Sequence, residues 1–402
     1  MSDRTPGGEP PRRRGLGSRL IHGRRAPAPR NRPVSTPIYQ TANFEFSSIE
    51  EMERYYRGEA EDLYLYTREA NPTVESAAAR LAEAEGAELA LLTSSGMGAI
   101  TTTCLALLSQ GEHMVSVANL YGGAFRLFQR HLSRFGIGVD FFPVDRPEEA
   151  EKHIRSQTRL LYLESPTNPT LALADFEVYA AVARKHGLLS VIDGTFGTPV
   201  NQQPLAAGID IVVHSATKYL GGHSDLVAGA VAGRGEAIRK VRRASVALGT
   251  NAEPQTAFLV ERGLKTLVVR VEAQNRGALA IARNLEGRRG VRRVHHPGLE
   301  SHPQHALARR QMRGFGGMVT FEVEGGLPAA TRVIDRFRLI GRAASLGGVE
   351  SVASLPVLTS QRGWPAEALR MAGVTDGMVR LSVGLEDTED LIEDLDQALA
   401  GA

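Results

Sequence analysis

Lys218 is one of five lysines in a chain of 402 residues in which arginine supplies most of the 47 basic side chains. It comes after the apolar run 209–213 and the short polar stretch 214–217, and it precedes Gly221 and Gly222. This pattern predicts a buried strand that ends in a polar turn. Arginine stays protonated, whereas a desolvated lysine can lose its proton and form a Schiff base with a carbonyl compound. Lys218 is therefore a candidate nucleophilic amine.

Three other groups could serve a cofactor with a carbonyl carbon. The sequence 93–98, Thr-Ser-Ser-Gly-Met-Gly, leads into a predicted helix that runs through Leu108. Free backbone N–H groups at such a start, including those of Gly96 and Met97, suit a phosphate, although many helices begin with Ser and Gly for capping alone. Asp193 ends an apolar run, where a carboxylate needs a cationic partner: a protonated pyridine nitrogen or a structural salt bridge.

Hydroxyl and aromatic side chains complete the set. Ser215 and Thr217 flank the candidate lysine, although their hydroxyls could instead bond the local backbone. Tyr121 lies in a Gly-rich loop and could stack on a flat ring or pack in the core. A phosphate cradle, an acidic partner for a ring nitrogen, a Schiff-base lysine and a stacking aromatic are together what pyridoxal 5′-phosphate (PLP) requires.

The elements that position these residues alternate between helix and strand. Short apolar runs at 114–118, 159–163, 188–192 and 209–213 predict buried strands, and the pattern 176–186 predicts a helix that Gly187 ends. Such spacing indicates a parallel sheet with covering helices. Ligands bind beyond the carboxyl ends of such strands. The residues that follow strand ends should therefore converge on one crevice: Asn168, Asp193, Ser215, Thr217 and Lys218.

The second part of the chain has a different pattern of predicted elements. Residues 249–254 look like a boundary, and a long helical stretch is predicted from 256 to about 286. A smaller mixed region begins at Val291, with a strand at 318–323 and a closing acidic helix at 388–400.

Composition restricts the class of protein. With 42% hydrophobic and 23% charged residues, the chain is typical of a globular protein of two or three domains. No apolar run approaches the roughly 20 residues that span a bilayer, and the N-terminus lacks the apolar core of a secretory signal. The single cysteine, Cys104, fits a reducing compartment. We therefore expect a cytoplasmic protein without a membrane partner.

Charge is unevenly distributed. Residues 1–32 carry nine arginines against two acidic residues, whereas the whole chain has a net charge of +2. No nucleic-acid-binding motif follows this basic tail, so we predict a disordered extension and no nucleic-acid partner. The histidines at 295, 296, 302 and 305 lack an accompanying carboxylate or cysteine cluster, and we predict no metal site there.

Several motifs together resemble a known family, the PLP-dependent Cys/Met metabolism (transsulfuration) enzymes. The resemblance begins at about Arg19 and runs to the C-terminus. Its motifs are Tyr66-Thr67-Arg68 with Asn71-Pro72-Thr73, SSGMGAI at 94–100, LYGG at 120–123, ESPTNPT at 164–170, HSATKYLGGHSD at 214–225, SLGGVES at 345–351 and RLSVGLED at 380–387.

The resemblance implies an α/β fold, the PLP-dependent transferase fold type I (aspartate aminotransferase-like). This fold has a large, mainly parallel seven-stranded-type sheet domain and a smaller C-terminal α/β domain. We accordingly expect a basic tail (1–32), an N-terminal arm contacting a neighbouring subunit (33–62), a large PLP-binding domain (63–254) and a C-terminal domain (255–402). The family also implies a homotetramer, a dimer of dimers that share active sites.

The resemblance further implies the role of each site residue. Lys218 would carry the cofactor and move protons, Asp193 would pair with the pyridine nitrogen, and Tyr121 would stack on the ring. The phosphate would be held by Gly96, Met97, Ser215 and Thr217, and by Tyr66 and Arg68 of the neighbouring subunit. Arg380 would bind the substrate α-carboxylate with Asn168, Ser345 and Leu346, whereas Glu350 and Arg126 would shape the distal pocket.

The activity that the resemblance implies is γ-replacement on O-acetyl- or O-succinylhomoserine with cysteine, which gives cystathionine. Cystathionine γ-lyase, O-acetylhomoserine sulfhydrylase and a γ-substitution enzyme of secondary metabolism remain alternatives, and a catalytically silent interaction protein is the alternative of another class. Four features depart from the family pattern: Gly194 replaces an Asn, 359–361 replace a Met-Thr-His segment, Trp364 could narrow the pocket mouth, and Gly123 stands where methionine γ-lyases place a cysteine.

Overall fold

The computed structural model of the protein describes residue 31 and residues 33–60 and 62–400. Residues from Ile38 onward form one compact unit, and the segment up to Pro37 is a separate one. Nearly all of the basic tail, and with it the predicted disorder, lies outside the described residues. The predicted domain boundaries at 62 and 254 stay predictions.

A seven-stranded sheet dominates the first half of the compact unit. The strands lie in the order β1-β7-β6-β5-β4-β2-β3; β7 runs antiparallel to both of its neighbours, and every other neighbouring pair is parallel. This confirms the mainly parallel sheet. In chain order the strands are β1 (Leu89–Thr93), β2 (His113–Val117), β3 (Gly138–Phe142), β4 (Thr158–Glu164), β5 (Leu189–Asp193), β6 (Ile211–His214) and β7 (Gly229–Gly233).

Helices alternate with these strands and cover the sheet. They are α1 (Ile49–Tyr56), α2 (Pro72–Glu85), α3 (Gly96–Leu107), α4 (Gly122–Arg126), α5 (Pro147–His153), α6 (Phe176–Lys185), α7 (Thr198–Asn201) and α8 (Gly235–Leu248). A π-helical turn (Leu127–His131) and a 3₁₀ turn (Leu132–Phe135) continue α4. As predicted, Gly187 follows the end of α6 in the left-handed region, at φ 66°.

The second half contains a five-stranded sheet in the order β10-β11-β12-β9-β8. Its strands are β8 (Val291–His295), β9 (Met318–Val323), β10 (Gly341–Arg342), β11 (Val352–Ser354) and β12 (Met378–Ser382). The helices of this half are α9 (Pro254–Leu264), α10 (Leu267–Leu285), α11 (His305–Gln311), α12 (Gly326–Arg336), α13 (Ala366–Met371) and α14 (Thr388–Leu399), with a 3₁₀ turn at Pro356–Leu358. The predicted strand 318–323 and the acidic C-terminal helix are both present.

The long helical stretch predicted over 256–286 is divided into two helices, α9 and α10. The Gly263 carbonyl accepts hydrogen bonds from the backbone N–H of Thr266 (3.2 Å) and from the Arg270 side chain (2.8 Å). The helical hydrogen-bond ladder is therefore interrupted at Lys265 and Thr266. Apolar periodicity continues across the break, so the pattern alone could not reveal it.

Hydrophobic packing joins the two sheets. One cluster of buried side chains fills the space around the seven-stranded sheet, and a second surrounds the five-stranded sheet. A third cluster contains residues from both halves, among them Leu81, Tyr219, Val271, Met318 and Leu346. The turn that carries Lys218 is thus packed between the sheets. Among the described residues, no helix is long and apolar enough to cross a membrane.

Candidate active site

A cavity of about 610 Å³ opens where β4, β5 and β6 end. A volume of this size suits a cofactor or a small substrate. Most of the residues singled out from the sequence line it: Gly96, Met97, Tyr121, Arg126, Asn168, Asp193, Ser215, Thr217, Lys218, Ser345, Leu346 and Arg380. The parallel strands therefore bring their C-terminal residues to one place, as expected for this architecture.

Lys218 lies in the polar turn after β6, and its Nζ donates a hydrogen bond to Ser345 Oγ at 2.6 Å. Burial, together with the nearby Arg380 guanidinium, lowers the pKa of the Lys218 amine to about 8. Both effects disfavour the charged amine. Ser345 has φ 83°, a conformation that is strained for a residue with a side chain and is typical of functional sites. A reactive amine is thus available near neutral pH.

Asp193, the last residue of β5, is buried. Its Oδ1 accepts the N–H of Thr195 (2.9 Å), and the Thr195 hydroxyl in turn accepts the N–H of Ser215 (2.9 Å). Burial raises the pKa of the Asp193 carboxyl, against the opposing effects of the Thr195 hydrogen bonds and of His214. Gly194 fits a crowded position, because a Cβ there would lie 3.1 Å from the His214 ring. Asp193 thus presents a buried carboxyl to the cavity.

The start of α3 forms one wall of the cavity. Ser95 caps the helix by accepting the N–H of Gly98 (3.0 Å), which leaves the N–H groups of Gly96 and Met97 in the first turn, where a helix provides no carbonyl for them. A Cβ at Gly96 would lie 2.8 Å from the Ser215 side chain. Glycine therefore allows the helix start to approach the β6 loop closely. Such a junction of N–H groups and hydroxyls suits a phosphate.

Thr217 lies at the same wall, with its hydroxyl already engaged. The Thr217 Oγ1 atom donates to the Ala228 carbonyl (3.2 Å) and accepts the Ala228 N–H (3.0 Å). These bonds tie the Lys218 turn to the segment that leads into β7. The hydroxyl retains a lone pair that can still accept a hydrogen bond.

Tyr121 precedes α4, lines the cavity and is about 42% exposed. A Cβ at Gly123 would lie 2.4 Å from the Tyr121 ring and 2.9 Å from Met97 Sδ. Glycine at 123 is therefore what lets the Tyr121 ring lie in this position. The ring is half-exposed, as a surface for stacking must be.

Arg380, from β12, reaches the cavity from the second sheet and is buried. It donates to Asn168 Oδ1 (3.1 Å) and to the Ser345 carbonyl (3.2 Å). Burial lowers its pKa to about 10, so the guanidinium is still charged at neutral pH. Within the described part of the chain, Arg380 forms no ion pair with a carboxylate, and a buried cation of this kind suits a carboxylate ligand.

Glu164 is a site residue that the sequence reasoning missed. It ends β4, lies beside Asp193 in the sheet, and lines the cavity. Its Oε2 accepts the N–H of Tyr121 (2.8 Å) and its Oε1 accepts the N–H of Asn168 (2.9 Å). Burial and then the Asp193 carboxylate raise the pKa of Glu164 well above its ordinary value. The signal existed, because Glu164 follows an apolar run just as Asp193 does.

Some of the singled-out residues lie elsewhere. The Arg68 guanidinium lies 5.4 Å from the Tyr66 ring centre and donates to the Val246 carbonyl, outside the cavity. Glu350 is also outside the lining and accepts the Ser224 hydroxyl (3.0 Å). Trp364 does not narrow the mouth, because it is buried and stacks on Phe125 at 3.9 Å between ring centres.

The donor set of this cavity fits PLP. The helix start with the Ser215 hydroxyl offers N–H and O–H groups to a phosphate, and the half-exposed Tyr121 ring offers a stacking surface. The buried Asp193 carboxyl has no ion-pair partner among the described residues, so a ring N–H⁺ would satisfy it. Lys218 supplies the amine. Each chemical requirement of PLP is thus matched by a group in the cavity.

Comparison with known proteins agrees with this geometry. A family model described as Cys/Met metabolism PLP-dependent enzyme matches residues 17–400. An L-methionine γ-lyase of Fusobacterium nucleatum is 41% identical, covering 91% of this chain and 93% of the relative. A cystathionine γ-lyase of Bacillus subtilis is 40% identical, covering 94% of this chain and 98% of the relative.

The solved structures include cystathionine γ-synthase from Xanthomonas oryzae pv. oryzae in complex with cystathionine. It is 39% identical, covers 91% of this chain and 93% of its own, and superposes with a TM-score of 0.87. The fold is therefore PLP fold type I. On the sequence match over nearly the whole chain and the fit of the cavity to the cofactor, the chain belongs to the Cys/Met metabolism PLP-dependent enzymes.

Proposed function

We propose that the protein catalyses γ-replacement on an activated homoserine with cysteine. The Cγ–O bond of the ester breaks, the cysteine sulfur forms a Cγ–S bond, and cystathionine and the free carboxylic acid are released. O-Succinylhomoserine is the substrate that the cavity suits best, with O-acetylhomoserine as the smaller alternative.

Arg126 is the observation that carries this proposal. It lies at the end of α4, lines the cavity, and forms no ion pair within the described part of the chain. A cavity lined by the buried Arg380 and by Arg126, which is itself exposed, suits a reaction whose participants bear a second carboxylate. O-Succinylhomoserine, cysteine and cystathionine supply one, whereas methionine does not. Gly123 also argues against a specialised methionine γ-lyase, because it stands at the position where those enzymes place a cysteine.

The positions of the lining residues suggest a separate role for each of them. Arg380 and Asn168 orient the substrate carboxylate, and Lys218 takes the proton from Cα because its lowered pKa leaves about half of the amine neutral near pH 8. Bound PLP supplies an electron sink for the negative charge that develops at Cα. Asp193 holds the ring proton that makes this sink effective, and the Ser345 hydroxyl holds Lys218 Nζ in place.

The lowered pKa of Lys218 predicts how its reactivity depends on pH. In the cofactor-free protein, acylation of Lys218 should rise with pH through a midpoint near 8, whereas an unperturbed lysine requires a pH near 10.5. Competitive labelling followed by peptide mass spectrometry measures the Lys218 profile in the folded protein and, as the control, in the denatured protein. Equal profiles in the two states would contradict the proposed environment.

Cystathionine γ-elimination is the second candidate. The same residues could serve it, and a relative that is 40% identical is a cystathionine γ-lyase. In that reaction cystathionine and water give cysteine, 2-oxobutanoate and ammonia. Arg126 suits this substrate as well, so the two activities must be separated by their products.

The test is a product assay on the PLP-loaded protein. The substrates are O-succinylhomoserine and O-acetylhomoserine, each with and without cysteine, then cystathionine and methionine. Replacement predicts cystathionine from the esters only when cysteine is present, and little 2-oxobutanoate from cystathionine alone. Arg126→Gln should lower kcat/KM for the succinyl ester about 10- to 100-fold and that for the acetyl ester less. The proposal fails if cystathionine is consumed readily while both esters are ignored.

We further propose that the active unit is at least a dimer, within a homotetramer. Tyr66 and Arg68 lie outside the cavity of their own subunit, and about 42% of the Tyr66 surface is exposed. Their expected place is at the phosphate of a neighbouring subunit.

Hybrid complementation tests this sharing. Lys218→Ala and Arg68→Ala should each be nearly inactive, but co-expression should restore about a quarter of the wild-type activity. Half of randomly formed pairs would be hybrids with one intact site each. Activity no higher than that of the two separate variants would contradict a shared site.

A further inference from the structure

Gln361 is a buried residue that departs from the family pattern, and its side chain does not face the cavity. Its Nε2 donates to two backbone carbonyls, those of Asn168 (3.2 Å) and Leu120 (3.4 Å). Its Oε1 accepts the hydroxyl of Ser360. Gln361 thus links the segment after the 3₁₀ turn to two loops that line the cavity.

Glu164 binds the same two loops through their backbone N–H groups, whereas Gln361 binds their carbonyls. The Leu120 carbonyl and the Tyr121 N–H belong to one peptide unit, whose carbonyl accepts from Gln361 and whose N–H donates to Glu164. Asn168 is bound in the same way, by its N–H to Glu164 and by its carbonyl to Gln361. The Glu164 carboxyl as acceptor and the Gln361 amide as donor therefore fix the backbone on the N-terminal side of Tyr121 and at Asn168.

Two further contacts press the Gln361 segment against α4. A Cβ at Gly122 would lie 1.5 Å from the Ser360 carbonyl oxygen, so the two backbones touch at this point. Three residues after Gln361, Trp364 stacks on Phe125 at 3.9 Å with an interplanar angle of 28°. The segment therefore contacts α4 at both ends of its first turn.

We propose that Gln361 is a positioning residue that sets the orientation of Tyr121 and Asn168 toward the cofactor and substrate. The Tyr121 hydroxyl has no hydrogen bond among the described residues, so the backbone determines where the ring lies. Asn168 transmits the effect to the substrate side, because its Oδ1 accepts from Arg380. This inference rests on the roles proposed above for Tyr121 and Asn168, but not on the choice between replacement and elimination.

The test compares Gln361→Met with Arg362→Met in the PLP-loaded protein. Methionine has nearly the volume of glutamine but no N–H donor, and Arg362 is an exposed neighbour with a matched substitution. In Gln361→Met the visible circular dichroism per bound PLP should change, and KM for the amino-acid substrate should rise about three- to tenfold, because the Asn168 and Leu120 carbonyls lose their donor. Gln361→Glu, with one donor when protonated, should give an intermediate KM.

The outcomes are distinct. A lower melting temperature with an unchanged dichroism band and KM would show that Gln361 is only structural and would overturn the proposal. Tyr121→Ala serves as a reference for the dichroism band. If Tyr121→Ala changes the band but Gln361→Met does not, the positioning role fails and the role of Tyr121 stands. If neither changes it, Tyr121 does not contact the cofactor, and both fail.

Discussion

Lys218→Ala is expected to lower kcat about 10⁴-fold or more, because in our proposal this one side chain supplies both the covalent attachment of the cofactor and the base at Cα. Alanine offers neither, and no other lysine lines the cavity within the described residues. Borohydride reduction followed by intact mass measurement should show a PLP adduct on the wild-type protein and none on the variant. The fold should persist, because the amine is held in a partly buried site that disfavours its charge.

Lys240→Ala is the matched control. Lys240 lies on the exposed face of α8 in an ion pair with Glu236, and it does not line the cavity. Its loss should leave both kcat and the adduct unchanged. A PLP adduct that persists in Lys218→Ala would place the reactive amine elsewhere and remove the basis of the site.

Arg380→Met is expected to raise KM for the amino-acid substrate about 10²- to 10³-fold. The side chain is the buried cation of the cavity, and loss of a desolvated charge–carboxylate pair costs about 3–4 kcal/mol. Arg380→Lys should recover only part of this loss, because an ammonium group cannot reproduce the planar fork that also bonds Asn168 and Ser345.

Steady-state kinetics of both variants, with PLP content and melting temperature measured alongside, check this prediction. Arg380 forms no salt bridge among the described residues, but its removal takes the nearby cation from the buried Glu164 carboxyl and a donor from Asn168 Oδ1. The melting temperature should therefore fall moderately, while the main effect should be on KM. An unchanged KM with a large fall in melting temperature would make Arg380 a structural residue.

Where strands end, the residues that the sequence singled out line one cavity, and their roles there stay predictions. Lys218, Asp193 and Asn168 each follow a strongly apolar run, and parallel strands place such residues at one edge of the sheet. Arg380 comes from the second sheet, at an antiparallel strand that no local pattern connects to the cavity. Only the resemblance to a family identified it before the structure was known.

What the sequence could not predict depends on contacts between distant segments. The roles of Glu164 and Gln361 follow from hydrogen bonds to Tyr121 and Asn168, and the Gln361–Leu120 bond spans 241 positions in the chain. The break between α9 and α10 likewise depends on the Gly263 carbonyl, which the Arg270 side chain occupies. Periodicity shows which residues are buried but not which polar partner each buried group finds.

The most direct measurement is the partition of O-succinylhomoserine by the PLP-loaded enzyme at saturating cysteine, followed as the ratio of cystathionine to 2-oxobutanoate. Our account predicts that cystathionine predominates, that 2-oxobutanoate rises only when cysteine is withheld, and that Arg126→Gln slows both products. If 2-oxobutanoate predominates even at saturating cysteine, the enzyme is an eliminating lyase and the proposed γ-replacement is wrong.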